Sequence, residues 1–444
     1  MNKDLTVGKP SQVLWQFCLP MFGSIIFQQL YNIADSLVAG KFIGENALAA
    51  VGNSYEITLI FIAFAFGCNI GCSVIVSRYF GAKEYDDMKT SVYTALIGSA
   101  VLCAVLMVFG LLGCRSLLEL INTPAEILAD SALYLDIYVL GLPFMFFYNI
   151  ATGIFSALGD SKTPLYFLVF SSVLNIILDI VFIVPMHMGV AGAAWATILS
   201  QFLSAVFSTV VRLRNFPILH LRREDFHDLK GAAVLHLKTG FPMGFQMSVM
   251  CIGQLAMQAV VNSLGTAAVA GYTAASKADQ LSVLVNNAMM TAISNYVAQN
   301  FGAGKKDRIR LGVRASLIQT EAFNILMCIG ILLLRHPIVE LFLSNPTAEI
   351  YHYSDAFLTI EAPFYFLLGL LAVYRTSIQS MQNGRAPFAA CMIELVMRLA
   401  ATVWLSRFLG YTAVCIASPL AWFGAVALLI PVYYRMMMKP VKTV

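Results

Sequence analysis

The sequence is short of charge. Only 12% of its 444 residues are Asp, Glu, Lys or Arg, against 59% hydrophobic. A water-soluble domain carries roughly 25% charged residues, so this chain lacks the charge to cover a surface facing water. It is short of histidine too: His187, His220, His227, His236, His336 and His352 show no clustering. A membrane-embedded enzyme would gather His or acidic metal ligands at one membrane face, so no enzyme, catalytic residue or cofactor is expected. The nine cysteines sit almost wholly inside apolar runs, without metal-ligand spacing to histidine. Cys68 and Cys72 share a helix face and read as small packing residues. The net charge of +4 is small and its basic residues lie in connections, which leaves no footprint for nucleic acid. A cleaved leader does not fit either, because the first apolar run is too long for an h-region and contains Asp35.

What the chain has is long apolar runs separated by short charged segments. About 20 residues at 1.5 Å rise cross a ~30 Å hydrocarbon core. The runs are too long and too uniformly apolar for the ten-residue alternating strands of a membrane barrel. The expected fold is an all-α polytopic membrane protein with twelve transmembrane helices. The spans fall near 13–39, 51–77, 92–114, 132–157, 164–185, 190–213, 239–263, 271–299, 312–334, 353–380, 387–408 and 411–434. Alternate connections are strongly basic: Arg78, Lys83 and Lys89, then Arg212 to Lys238, then Lys305 to Arg314. The other set holds only Lys41, Arg115, Arg335 and Arg407. The positive-inside rule puts both termini in the cytoplasm of a cell (inner or plasma) membrane. The longest connection divides the chain into an N-lobe at 1–213, a cytoplasmic interlobe loop at 214–238 and a C-lobe at 239–444.

The two halves echo each other. Leu19-Pro20-Met21 returns as Phe241-Pro242-Met243, and Phe80-Gly81-Ala82 as Phe301-Gly302-Ala303. Gly44 and Pro143-Phe144 return as Gly265 and Pro363-Phe364, every offset lying between 220 and 222 residues. Six spans per unit is an even number, so both units insert with the same orientation. That is the parallel repeat of carriers whose two pseudo-symmetric lobes flank a central cavity.

Ionisable residues inside spans are costly and face the protein interior or water. Gln28, Tyr31, Asn32 and Asp35 recur at three- and four-residue spacing, hence on one face of the first span. Asn175 and Asp179 share a face of the fifth, and Thr197 is in the sixth. Counted from the outer ends of their spans, Asp35, Asp179 and Thr197 fall roughly 7–11 Å deep. Three polar groups from three helices in one layer point to a single site. Two carboxylates in a low-dielectric pocket cannot both ionise cheaply, so the layer suits proton exchange, or Na⁺ coordination with the Asn175 and Thr197 oxygens. Asn149, Gln254, Glu394 and Arg398, together with Gln28, Tyr31 and Asn32, are candidates for lining a substrate cavity. Glu394 and Arg398 are four apart on the eleventh span and read first as an internal ion pair. Glu56 and its repeat-related Lys277, with Asp279 nearby, read as a local pair or as a gate pair.

The residues Gln29-Leu30-Tyr31-Asn32-Ile33-Ala34-Asp35, the Phe80-Gly81-Ala82 turn with its echo, Leu158-Gly159-Asp160-Ser161-Lys162-Thr163-Pro164 and Leu174-Asn175-Ile176-Ile177-Leu178-Asp179 resemble the multidrug and toxic compound extrusion (MATE) family over nearly the whole chain. The resemblance is nearer the DinF-like branch, in which a first-helix Asp, a fifth-helix Asn-x-x-x-Asp and a sixth-helix Thr form an N-lobe cation site. Those positions fall on Asp35, Asn175, Asp179 and Thr197. The NorM-like branch places acidic cation ligands in its seventh and tenth helices. Here the seventh span has Gln246, Gln254 and Gln258 and no acid, and Glu361 does not stand at the expected place, so no C-lobe Na⁺ site is expected. The resemblance implies a monomeric antiporter in the lipid bilayer that exports amphipathic, often cationic organic compounds or drugs in exchange for H⁺ or Na⁺. The alternative is a flippase for a lipid-linked precursor of the same wider superfamily. That reading would favour a cavity of paired Arg and Lys, for which Arg375, Arg398 and Lys277 are few.

Overall fold

A computed structural model describes residues 4–42, 45–120, 123, 125–215, 229–342 and 346–438; within these, the side chains of 29–42, 45–49, 52–53, 55–56, 120, 211–215, 241, 244, 247–248, 251, 281, 285 and 341–342 lie outside the description. The described residues are mainly helical, with no strand among them. In chain order they form α1 (Pro10–Phe42), α2 (Glu45–Ala82), α3 (Tyr85–Leu120), α4 (Ala125–Leu140), α5 (Leu142–Ala157), α6 (Lys162–Ile183), α7 (Gly189–Asn215) and α8 (Leu229–Ser263). The second half continues with α9 (Thr266–Gly302), α10 (Lys306–Phe342), α11 (Ala348–Glu361), α12 (Tyr365–Ser380), α13 (Arg385–Leu399), α14 (Ser406–Leu409) and α15 (Tyr411–Met438). Three of the twelve spans are broken rods. The fourth is α4 with α5, the tenth α11 with α12, and the eleventh α13 with α14.

The outer surface explains the missing charge. Leu112, Leu333 and Phe408 are 81%, 76% and 71% exposed. Large apolar side chains this open would be a liability in water and are at home against lipid. Among the described residues eight helices are long and apolar enough to cross a membrane, and the bent α4–α5 pair adds a ninth.

Each break has a local cause. Gly141 separates α4 from α5 at a 51° bend. A Cβ there would come within 2.5 Å of Ile198 Cγ1, so the close approach to α7 needs glycine. Pro143 stands in the first turn of α5, where its missing N–H costs nothing. Ala362–Phe364 is a 3-10 turn containing Pro363, which separates α11 from α12. Ala400–Leu405 is π-helical, and Thr402 Oγ1 donates to the Arg398 carbonyl at 2.6 Å. Such turns gather at functional positions.

The repeat is visible in the backbone of the turns. Lys83 (φ 62) and Gly304 (φ 69) are both left-handed. Glu84 N donates to Tyr79 O at 3.0 Å, and Lys305 N donates to Asn300 O at 2.9 Å, so the same helix-ending motif closes α2 and α9. Gly159 (φ 79) and Gln382 (φ 63) form a second matched pair. There Asp160 N donates to Phe155 O at 2.9 Å and Asn383 N to Ile378 O at 3.2 Å. Gly189 and Gly410, both at φ 56, stand at the starts of α7 and α15, the first as the opening residue and the second just ahead of it. The Gly159–Pro164 segment also caps α6. Asp160 Oδ1 accepts from the backbone N–H of Lys162 and Thr163, each at 3.1 Å, and Thr163 Oγ1 donates to Asp160 Oδ2 at 2.6 Å.

The chain divides into two compact units, residues 1–4 with 19–244 and residues 5–18 with 245–444. The core of the first lies where α2 and α3 meet the α4–α5 elbow and α7, around Phe61, Leu118, Leu135, Phe146 and Ala194. Phe155 and Phe167 meet edge to face in a second cluster that joins α5 to α6. In the second unit the largest fully buried side chains are Tyr296 and Tyr365. The segment before α1 is strapped to this unit. Leu5 N donates to Gln299 Oε1 at 2.9 Å, Lys305 Nζ to Thr6 O at 3.0 Å, and Arg308 Nη1 to Gly8 O at 2.9 Å.

Candidate functional site

In the first unit α6 and α7 pack side by side. Asn175 and Asp179 stand one turn apart on α6 and are 1% and 0% exposed; Thr197, on α7, is 8% exposed. In the better-satisfied orientation of the Asn175 amide, its nitrogen donates to Asp179 Oδ2 at 3.0 Å and its oxygen accepts from Thr197 N at 3.0 Å. Thr197 Oγ1 donates to Ala193 O at 3.1 Å. A carboxylate, a carboxamide and a threonine thus form one chain of polar groups inside apolar helices, fixed on both sides. This is an arrangement that can hold a proton or present oxygens to a small cation. The side chain of the fourth expected member, Asp35, lies outside the description, as do those of Tyr31, Asn32 and Glu56.

The other expected residues are dispersed. Gln28 and Gln254 are exposed, and so is Lys277. Asn149 is half-buried and serves structure: its Nδ2 donates to Met145 O at 2.9 Å, and its carbonyl accepts from Asn69 Nδ2 at 2.7 Å. The expected Glu394–Arg398 ion pair is not formed. Glu394 instead pairs with Arg375 of α12, both nearly fully buried. Arg398 runs past Gly253 of α8, where a Cβ would lie 2.9 Å from Arg398 Cδ.

Arg398 belongs to a different group, which sequence reasoning missed. It lies within electrostatic range of Glu361 and Asp279. Glu361 ends α11, 2% exposed, with Ser418 of α15 in hydrogen-bonding reach. Asp279 stands on α9 beside Tyr365 of α12. Asp279 Oδ1, Glu361 Oε2 and Arg398 Nε are buried without a hydrogen-bond partner. The available signal is Pro363, which breaks the tenth span and turns the end of α11, with Glu361, into the interior.

One histidine is half-buried. His236, in the basic stretch ahead of the 239–263 span, puts Nε2 2.9 Å from Ser91 Oγ and 3.1 Å from Ser91 O. A carbonyl can only accept, so Nε2 carries the proton. Burial pushes this imidazole down to about 4, against the raising effect of the Ser91 carbonyl.

The sequence profile of the MatE family matches residues 20–181 and again 242–404, one copy in each half. The chain is 30% identical to the probable multidrug resistance protein YpnP of Bacillus subtilis, over 95% of this chain and 91% of that one. It is 21% identical to the FAD transporter of Shewanella oneidensis, over 92% and 91%. Among solved structures, the outward-facing conformation of a multidrug resistance MATE family transporter of the MOP superfamily superposes with a TM-score of 0.90, at 22% identity and 98% coverage of both chains.

Proposed function

The chain belongs to the multidrug and toxic compound extrusion (MatE) family, and from that premise we propose that it is a secondary antiporter of the cell membrane, exporting amphipathic, often cationic organic compounds in exchange for H⁺, with Na⁺ as the alternative ion. The observation that carries this reading is the buried Asn175–Asp179–Thr197 chain, with Asp35 assigned to it from the sequence. A carboxylate held at 0% exposure between apolar helices has a use if its charge is taken up and given back during a cycle. Entry of a proton from outside neutralises the layer; six-helix lobes rock, and inward opening releases the proton. Both termini and the 214–238 loop face the cytoplasm on the positive-inside count, and the working unit is one chain. Gln28, Tyr31, Asn32, Asn149, Gln254, Glu394 and Arg398 are the candidates to meet substrate, and Glu56 with Lys277 the candidate gate pair. The name of the Bacillus relative supports the multidrug reading; that of the Shewanella relative makes a flavin nucleotide the proper control substrate. The test is dye efflux from proteoliposomes under an imposed pH gradient or Na⁺ gradient, applied separately. Efflux driven by pH alone is expected. Efflux driven by Na⁺ alone at matched pH overturns the proton assignment, and efflux of flavin nucleotide with no efflux of cationic dye overturns the substrate class.

A further inference from the structure

Helix α8 starts well ahead of the 239–263 span, and its opening stretch, residues 229–238, belongs to the first unit. The anchor of that stretch is His236, whose Nε2 lies 2.9 Å from Ser91 Oγ of α3. Between the stretch, α2 and α3 is a cavity of about 340 Å³, walled by Tyr79 of α2, Asp87 and Thr90 of α3, and Val234, Leu235 and Lys238 of α8. Small-ligand pockets begin near ~300 Å³, so the space is enough for a headgroup-sized molecule. The cavity holds one acid and one base. Asp87 and Lys238 are both exposed, and no ion pair takes either of them among the described residues. Thr90 Oγ1 donates to Asp86 O at 3.1 Å, so its remaining capacity is as an acceptor.

These residues stand where the headgroups of a bilayer stand. Tyr79 is two residues beyond the end of the 51–77 span, Lys238 one residue before the 239–263 span, and Asp87 five before the 92–114 span. At 1.5 Å per residue the base and the phenol lie roughly 2–3 Å outside the hydrocarbon and the acid roughly 7–8 Å outside it. An aminophospholipid has its charges in the same order, the phosphate next to the acyl chains and the ammonium beyond it. On the same stretch of α8, Leu237 is 66% and Val234 43% exposed, apolar side chains at home against the first acyl carbons. We infer that the cavity binds a zwitterionic aminophospholipid of the cytoplasmic leaflet, phosphatidylethanolamine, with its phosphate on Lys238 beside Tyr79 and its ammonium on Asp87 beside Thr90. The charges decide among lipids. A choline headgroup has no N–H to donate to Asp87 or Thr90. A glycerol headgroup brings no cation at all, and leaves the carboxylate facing a phosphate of like charge. A bound lipid ties the start of α8 to α2 and α3, and so adds to what the His236–Ser91 contact does alone.

The choice of leaflet rests on the orientation proposed above, but headgroup recognition is read in detergent, without transport. Delipidated full-length protein in dodecyl maltoside is melted with phosphatidylethanolamine, phosphatidylcholine or phosphatidylglycerol of identical acyl chains. Saturating phosphatidylethanolamine is expected to raise the melting temperature by about 5 °C. Its midpoint concentration should lie about threefold below those of the other two lipids, the worth of one exposed charge pair. Asp87→Asn should erase the preference for ethanolamine over choline. Asp87→Lys should turn the preference toward phosphatidylglycerol, a reversal that a merely structural acid would not produce. Lys238→Gln should raise the midpoint for all three lipids. Both side chains are exposed, so the lipid-free variants should melt close to the parent. Equal midpoints for the three lipids in the parent, an ethanolamine preference kept by Asp87→Asn, no turn toward phosphatidylglycerol in Asp87→Lys, or a Lys238→Gln variant that binds like the parent would each overturn the inference. Equal stabilisation by glycerophosphoethanolamine, the headgroup without acyl chains, would overturn the lipid as its source. None of these melts depends on efflux, so the transport proposal can fail while they succeed.

Discussion

Replacing Asp179 by asparagine removes a charge and almost no volume, so it separates coupling from architecture. In the parent, Asn175 Nδ2 donates to Asp179 Oδ2 at 3.0 Å. A carboxamide in place of that carboxylate can offer an oxygen to the same donor. What is lost is the difference between a charge-assisted and a neutral hydrogen bond, about 1 kcal/mol. Asp179→Ala leaves the Asn175 amide unpaired in a site where both residues are at most 1% exposed, at about 1–3 kcal/mol plus the cavity. Thermal unfolding in detergent should therefore rank the parent and the Asp179→Asn variant close together and the Asp179→Ala variant below both. Transport should rank them differently. One proton moving with a pH difference of one unit and ~100 mV supplies about 1.4 plus 2.3 kcal/mol, enough for a several-hundredfold gradient of a neutral substrate. The carboxamide of Asp179→Asn cannot take up that proton. The variant is expected to equilibrate a fluorescent dye across proteoliposomes without accumulating it, even though it inserts and unfolds like the parent. Accumulation at the parent's level by Asp179→Asn, under the same imposed gradient, refutes the coupling role.

Three further outcomes follow from the packing. Breaking the buried Arg375–Glu394 pair by Glu394→Gln should cost about 3–5 kcal/mol, and the Arg375→Leu/Glu394→Leu double variant less than the sum of its singles, because one unpaired buried charge is worse than none; chemical denaturation checks the order. Gly141→Ala drives a Cβ to 2.5 Å from Ile198 Cγ1 and should lower stability by about 1–3 kcal/mol, with Ile198→Val recovering part of it in a thermal melt. His236 is held at about 4, below its unfolded value near 6.5, so the unfolded chain binds the extra proton between those values. Stability contributed by this group is whole above pH 6.5 and is lost as pH falls toward 4, at up to about 1.4 kcal/mol per pH unit. The melting temperature of His236→Gln should be flatter than the parent's over that window.

The spans are legible in the sequence because a helix that meets lipid must be apolar along its whole length. The repeat is legible in Phe80-Gly81-Ala82 and Phe301-Gly302-Ala303 because both end a helix with the same left-handed turn. Asn175 and Asp179 are legible because Asp179 is the one acid in α6 and α7 and Asn175 stands one turn before it; Thr197, one of several hydroxyls on α7, is singled out only by its depth and by the family resemblance. The second half misleads where spacing along one helix competes with partners from other helices. Glu394 and Arg398 satisfy the four-residue rule, yet Arg375, nineteen positions before Glu394 and on α12, takes the carboxylate. Nearness in sequence groups Asp279 with Lys277. Two residues along a helix is about 200° of turn, so Lys277 is exposed while Asp279 turns inward. Glu361 looks misplaced because counting depth along a straight tenth span ignores the break at Ala362–Phe364.

What the two halves keep in common lies at the ends of helices, and what they have exchanged lies inside. Lys83 and Gln382 occupy left-handed positions although a side chain there costs about 1 kcal/mol, while their partners Gly304 and Gly159 do not bear that cost. A turn retained without its glycine is retained for its geometry, since it sets where the next helix begins. Within that shared frame the interior chemistry differs: the first half buries Asp179 one turn from Asn175, while the second buries Arg375 against Glu394, a pair with no counterpart charge at the matched positions of the first half, since Arg375 falls on Thr152 and Glu394 on Ser171 by the offset of 223 that Gly159 and Gln382 set. One backbone frame thus carries two unlike interiors.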